Sequence, residues 1–203
     1  MSSREPFPLT GTTLVLGPSN VGKTTRTARA LERWVDTHSP AGVVVLDFAP
    51  ELRRGDRVLG GRLDRVTDLL TDESEGVTLG ERTTVTRPNG VWYGVLDAHA
   101  PRAASECEAD AVALAAENAA GAARLLDHAP ADPHAVFVND ATIALQHPTG
   151  RVDRLLAYCA GATAAVLNAL ESDELGVDDA VSRQEQTALA ALVAGADRVV
   201  RLP

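Results

Sequence analysis

The chain has 203 residues, 45% apolar and only 3% aromatic, so it is long enough to bury a core built from valine, leucine and alanine. Its formal charge is −9 and no basic run appears, which argues against a nucleic-acid partner and against an anionic membrane surface. MSSREPFPL at the start has no apolar signal segment, no apolar run reaches the ~20 residues that cross a bilayer, and Cys107 and Cys159 fit no metal spacing; a cytoplasmic, single-domain protein over 1–203 with two reduced thiols is expected.

Residues 12–16, TTLVL, form a short apolar run that reads as a buried strand. Ala28, Leu31 and Val35 then recur at helical spacing over 24–38, and Ser39-Pro40 stops that helix. VVVLD, 43–47, is apolar without alternation, as strands buried on both faces of a parallel sheet are. Residues 51–90 are charged and glycine-punctuated, with RLDRVTDLL as a short helix and RTTVT as a short strand; such an excursion reads as an edge hairpin or a mobile loop facing a substrate.

VWYGVL, 91–96, is the next strand, and an alanine-rich helix follows over 104–128, ended by Pro130 and Pro133. AVFVND, 135–140, is a strand with a polar tip; a helix over 151–159 comes next, then TAAVLN, 163–168, another apolar strand with a polar tip. A helix over 182–195 has Ser182 as its expected N-cap and Glu185 three residues on, a capping-box pattern, and DRVVRL, 197–202, is the last strand. Strands alternating with helices predict an α/β fold: three layers, α/β/α, around a mostly parallel sheet.

Between the first strand and the first helix stands Gly17-Pro18-Ser19-Asn20-Val21-Gly22-Lys23-Thr24-Thr25. It fits G-x-x-x-x-G-K-[ST] in full and has the strand-loop-helix context the motif requires. Gly17 and Gly22 let the backbone turn and approach a polyphosphate, with N–H groups pointing inward at a helix N-terminus. Lys23 is expected to reach the β- and γ-phosphates and Thr24 to coordinate Mg²⁺. Of the 19 basic side chains only Lys23 is a lysine: the loop needs a compact charge on a flexible stem, and the planar fork of arginine does not fit it. The expected ligands are therefore ATP and Mg²⁺; absence of an N-K-x-D guanine motif favours adenine.

Such a loop needs a carboxylate for the metal. Two strand tips offer one: Asp140, favoured, and Asp47, which otherwise reads as a strand-end cap. Asp97 and His99 in LDAHAP lie at a carboxyl-end loop, where a histidine beside a carboxylate can act as a base, although a solvated loop histidine is the more ordinary reading. His38, His128, His134 and His147 read as solvated.

With these features the chain resembles the P-loop nucleotide-binding proteins, and within them the RecA-like, additional-strand class. That resemblance implies an acidic strand late in sequence beside the loop strand, here VFVND. It also implies a polar strand tip that senses the γ-phosphate, here Asn168 of TAAVLN, on the loop strand's other flank; Asp47 would then face a peripheral edge. Lys23, Asp140 and Asn168 are the catalytic candidates it implies. Where the class carries Asp-Glu, this chain has Asn139-Asp140, which would slow hydrolysis.

A further resemblance, to the P-loop corrinoid adenosyltransferases, rests on the GKTT loop, on Glu108-Ala109-Asp110 opening a helix, on the acidic strand tip and on Ala196-Asp197-Arg198-Val199 in the last strand. ESDELGVDDAVSRQ resembles the adenosylcobinamide kinases. These imply an ATPase or an ATP-dependent transferase acting on a small molecule. The other expectation is a slow nucleotide-dependent switch or assembly module acting on a protein partner. Both are compatible with a homo-oligomer.

Overall fold

The computed structural model describes residues 6–54, 57–59, 61–71, 75–171 and 178–203. The loop strand β1 spans Gly11–Gly17 and leads into α1, Lys23–Thr37; β2 is Val43–Asp47. A small hairpin, β3 (Leu52–Arg54) with β4 (Arg57–Leu59), stands apart from the main sheet. Then come β5 (Val77–Gly80), β6 (Thr83–Thr86), β7 (Trp92–Leu96), α2 (Pro101–Ala104) and α3 (Glu108–His128). The chain closes with β8 (Ala135–Asn139), α4 (Val152–Ala160), β9 (Ala164–Leu170), α5 (Ala180–Gly195) and β10 (Arg198–Arg201).

Eight strands form one sheet in the order β10-β1-β9-β8-β2-β7-β6-β5. The pairings from β10 to β7 are parallel; β6 and β5 add antiparallel at the edge. The central strands are apolar throughout because both faces are covered, and the period of two sorts their side chains. Val15, Val45, Phe137 and Val166 pack with Leu31 and Trp34 of α1 on one face. Leu14, Leu46, Val138 and Leu167 pack with Leu125 of α3, Leu155 of α4 and Leu192 of α5 on the other. The result is the three-layer α/β/α arrangement. Helix α3 lies close to the sheet because its inner face is small: Ala115, Ala119, Ala122 and Gly121, where a Cβ would collide with the Leu96 side chain. Among the described residues no helix is long and apolar enough to cross a membrane.

Several expectations need correction. VFVND does not adjoin the loop strand: β9 lies between β1 and β8, and β10, not TAAVLN, takes the other flank of β1. The reason is connection length. The short helix α4 carries the chain from β8 to its immediate neighbour β9, whereas α5 carries it past β1 to β10. Asp47 does not face an edge either, since β2 is flanked by β8 and β7 and the residue is fully buried.

RLDRVTDLL is not one helix but two 3-10 turns, Leu63–Arg65 and Asp68–Leu70, because Thr67 between them is extended and its hydroxyl accepts the Leu69 N–H. The helix expected over 104–128 is α3, which starts at Glu108; the single turn α2, Pro101–Ala104, precedes it. The N-cap of α5 is Asp179 rather than Ser182: its carboxylate accepts the Ser182 N–H at 2.8 Å and the Ser182 hydroxyl at 2.6 Å.

The excursion over 51–90 carries the expected edge hairpin, β5–β6, and sends Leu63 and Leu70 into the core on the α1 side. Residues 55, 56, 60 and 72–74 of that excursion, 1–5 of MSSREPFPL and 172–177 of ESDELGVDDAVSRQ lie outside the described residues.

Candidate functional site

The glycine loop leaves β1 at Gly17 and enters α1 at Lys23. Gly17 permits a close approach, since a Cβ there would stand 2.7 Å from the Leu202 carbonyl oxygen. Gly22 is needed for its backbone: at φ 90° it caps α1 in the left-handed region, where a side chain would be strained although nothing crowds it. No side chain caps that helix end and its first turn holds no acid, so its dipole is not satisfied by the chain's own carboxylates there.

Lys23 is only 7% exposed, and its ammonium donates to the Pro18 carbonyl at 2.6 Å. Burial holds its pKa below the ordinary lysine value, an effect that Asp140 partly offsets. Asp140 follows the tip of β8 in a left-handed conformation, φ 51° and ψ 54°, which turns it out of the strand. Burial pushes its carboxyl up to about 6, against the pull of the Lys23 charge; Asp47 and Glu185 add to the rise. A buried lysine and a half-buried carboxylate thus lie near enough, where the loop meets the sheet, for each charge to act on the other.

Polar residues from three strands form one row: Asp47 and Asn139 end β2 and β8, whereas Asn168, expected as a strand tip, lies inside β9, which runs on to Leu170. In register, Asp47 of β2 pairs with Asn139 of β8, and Asn168 of β9 lies beside it. Asp47 accepts four hydrogen bonds: from the N–H groups of Leu63 (2.7 Å) and Ala49 (3.2 Å), from the Tyr93 hydroxyl (3.1 Å) and from Asn139 Nδ2 (2.8 Å). Its carboxyl is nonetheless pushed up to about 6, because burial outweighs those donors. Asn139 Oδ1 accepts from Asn168 Nδ2 at 2.8 Å. Asn168 also donates to the Thr27 hydroxyl (2.9 Å) and accepts the Asp140 N–H (3.0 Å). Thr27, on α1, donates to the Lys23 carbonyl at 3.2 Å. The row therefore ties β2, β8 and β9 to the helix that carries the lysine, and it fixes the backbone of Asp140.

The sequence-derived candidates divide accordingly. Lys23 and Asp140 come together. Asn168 reaches the same place, but both its amide hydrogens are engaged within the row, so it orients Asp140 and α1. Asp47 lies one strand further out with every acceptor position occupied, which is the strand-end cap its alternative reading describes. Thr24 sits on the first turn of α1 with Gly61 beside it: a Cβ on Gly61 would stand 3.2 Å from the Thr24 hydroxyl oxygen. Thr27, Tyr93 and Gly61 escaped the sequence reading. Thr27 alone left a signal, a polar residue one turn after Lys23 on the inward face.

His99 pairs with Glu117 at 2.8 Å instead of Asp97, and its backbone is pinned to Asn118. Asp97 pairs with Arg62 and Arg82. The two residues tie the end of β7 to different neighbours and form no acid–base couple. Beyond Asp140, Glu185 of α5 is held by Arg102 at 2.6 Å and by Gln146 Nε2 at 3.0 Å, a buried polar cluster behind the site.

Two of the segments behind the narrower resemblance have structural duties. Glu108 accepts the Ala180 N–H at 2.8 Å, joining the starts of α3 and α5, and Asp197 accepts the Thr12 N–H at 2.8 Å, joining β10 to β1. Among the described residues no group of three or more His, Cys, Asp or Glu is arranged to hold a metal ion. One hydroxyl and one carboxylate, Thr24 and Asp140, are a donor set suited to Mg²⁺, which takes few protein ligands and fills its octahedron with water and phosphate oxygens. Cys159 is buried, and burial pushes its thiol up to about 12, so it is inert. Comparison of the chain with protein-family models, with curated proteins and with solved structures found no match.

Proposed function

We propose that the chain is a P-loop protein of the RecA-like type that binds Mg-ATP at 17–25 and either hydrolyses it or transfers a group from it to a small molecule. One observation carries the reading: the sole lysine of the chain is buried at the hinge between β1 and α1, its ammonium turned back onto the Pro18 carbonyl of the glycine loop. A cation withdrawn from water in this way is costly unless an anion meets it, and the glycine loop and the uncapped start of α1 favour that anion being a phosphate.

Lys23 would neutralise the β- and γ-phosphates, and Thr24 with Asp140 would hold Mg²⁺. The metal supplies charge neutralisation on the phosphate oxygens. Asp140, with its carboxyl near 6, is ionised above that pH and can accept a proton or orient an attacking hydroxyl. Asn168 and Thr27 keep Asp140 and α1 in register. A corrinoid acceptor is the narrower suggestion.

The second reading, a slow switch or assembly module, is favoured by Asn139: the position beside Asp140 carries an amide whose hydrogens are spent on Asp47 and Gly61. Steady-state turnover of Mg-ATP, alone and with candidate acceptors including a corrinoid, separates the two. Turnover well above the uncatalysed rate supports the enzyme, and tight binding without turnover supports the switch.

A further inference from the structure

Residues 61–63 cross the tips of β8 and β2 directly beside Thr24. The Gly61 carbonyl accepts from Asn139 Nδ2 at 2.7 Å, and the Leu63 N–H donates to Asp47 Oδ2 at 2.7 Å. The Leu63 side chain is fully buried in the core on the α1 side. Arg62, between them, is held by Asp97 at 3.4 Å and Glu51 at 3.8 Å. The gap between Gly61 and the Thr24 hydroxyl is narrower than a methyl group fills comfortably. A Mg²⁺ ion that keeps its waters, with ligands ~2.1 Å away in an octahedron, needs more room beside that hydroxyl.

We propose that Gly61–Arg62–Leu63 is an autoinhibitory strap, closed over the Thr24 hydroxyl in the nucleotide-free chain and lifted when Mg²⁺ bound to a triphosphate engages that hydroxyl. The inference rests on the nucleotide reading of the loop. Two hydrogen bonds between the strap's backbone and the side chains of Asn139 and Asp47, with one anchored leucine, make a reversible latch rather than a permanent cover. The latch also accounts for the amide at 139. Asn139 offers one hydrogen to Asp47 and one to Gly61, so the strand tip that would otherwise carry a carboxylate holds the strap shut. Metal-free triphosphate can lie along the loop without touching Thr24, so the strap responds to the metal complex and not to the nucleotide alone.

The test is hydrogen exchange at the Leu63 amide of the full chain, read alone, with a non-hydrolysable ATP analogue in EDTA, and with the same analogue and Mg²⁺, with calorimetry on each sample. The strap predicts slow exchange in the first two conditions and exchange faster by about tenfold or more in the third. Gly61→Ala, whose Cβ crowds Thr24, should speed Leu63 exchange without any nucleotide. Calorimetric binding with Mg²⁺ while Leu63 stays protected overturns the strap and leaves the nucleotide reading standing. Unchanged Leu63 exchange in Gly61→Ala also overturns the strap. Absence of binding in every condition overturns the nucleotide reading, and the strap with it.

Discussion

Asn139 donates from its side-chain nitrogen to Asp47 Oδ1 at 2.8 Å, and its own amide oxygen receives Asn168 at 2.8 Å. That position requires one group that both donates and accepts. An amide does so; a carboxylate cannot, and it would also set a second negative charge against a buried Asp47. The Asn-Asp tip, where the RecA-like class carries Asp-Glu, therefore has a local physical cause: a buried carboxylate already stands on the next strand.

Asn139→Asp should then destabilise the fold, although it brings the tip closer to an acidic pair. It removes two donated hydrogen bonds and buries like charges side by side, a loss of about 2–4 kcal/mol. Urea unfolding of the variant and the parent checks this. A variant as stable as the parent would mean that the row is not as tightly coupled as its distances imply.

Asp140→Asn and Asp47→Asn should part company. On the proposed function, Asp140→Asn loses Mg²⁺-dependent turnover by ~10²-fold or more, on the scale of removing a positioned charge. Asp47→Asn should change turnover less but lower stability by about 1–3 kcal/mol, since an N–H₂ would meet groups that donate to the carboxylate. Turnover and unfolding measured on both variants give the comparison; equal effects of the two on both readouts would contradict the division of roles.

Stability should fall as pH rises through the weakly acidic range. Burial raises the carboxyls of Asp47 and Asp140 from 3.8 to about 6. The folded chain therefore binds more protons than the unfolded chain within that window, and the cost of the two buried charges is fully present above it. Each group contributes ~3 kcal/mol at most. The Arg151–Asp153 pair has the opposite sign: its hydrogen bond holds Asp153 down at about 2, so that group favours folding above 3.8 and ceases to as pH drops through 2. Unfolding followed between pH 4 and 7 should show a shallower slope in Asp140→Asn than in the parent. An equal slope would remove Asp140 from the account.

Much of the architecture was legible because burial on both faces leaves a plain mark: VVVLD, AVFVND and TAAVLN are apolar at consecutive positions, and each is a strand. The order of those strands was not legible. All three carry a polar tip on an apolar stem, and their order depends on how far α4 and α5 carry the chain. The duty of Asp47 was equally hidden. Its partners Leu63, Tyr93 and Asn139 lie 16, 46 and 92 residues away, so no local pattern announces them. The cap of α5 was misread because Asp179 and Ser182 are both competent caps three residues apart. Lys23 could be singled out because it breaks the composition of the whole chain.

The central claim is that Lys23 is buried to meet a phosphate. Calorimetric titration of Mg-ATP into the parent chain, Lys23→Ala and Lys23→Arg tests it most directly. The account predicts binding to the parent, a loss of ~10²-fold or more in Lys23→Ala with the fold retained, and strong impairment in Lys23→Arg, whose planar fork does not fit the same hollow. Equal affinity for Mg-ATP in the parent and in Lys23→Ala, or no binding by the parent at all, would contradict it.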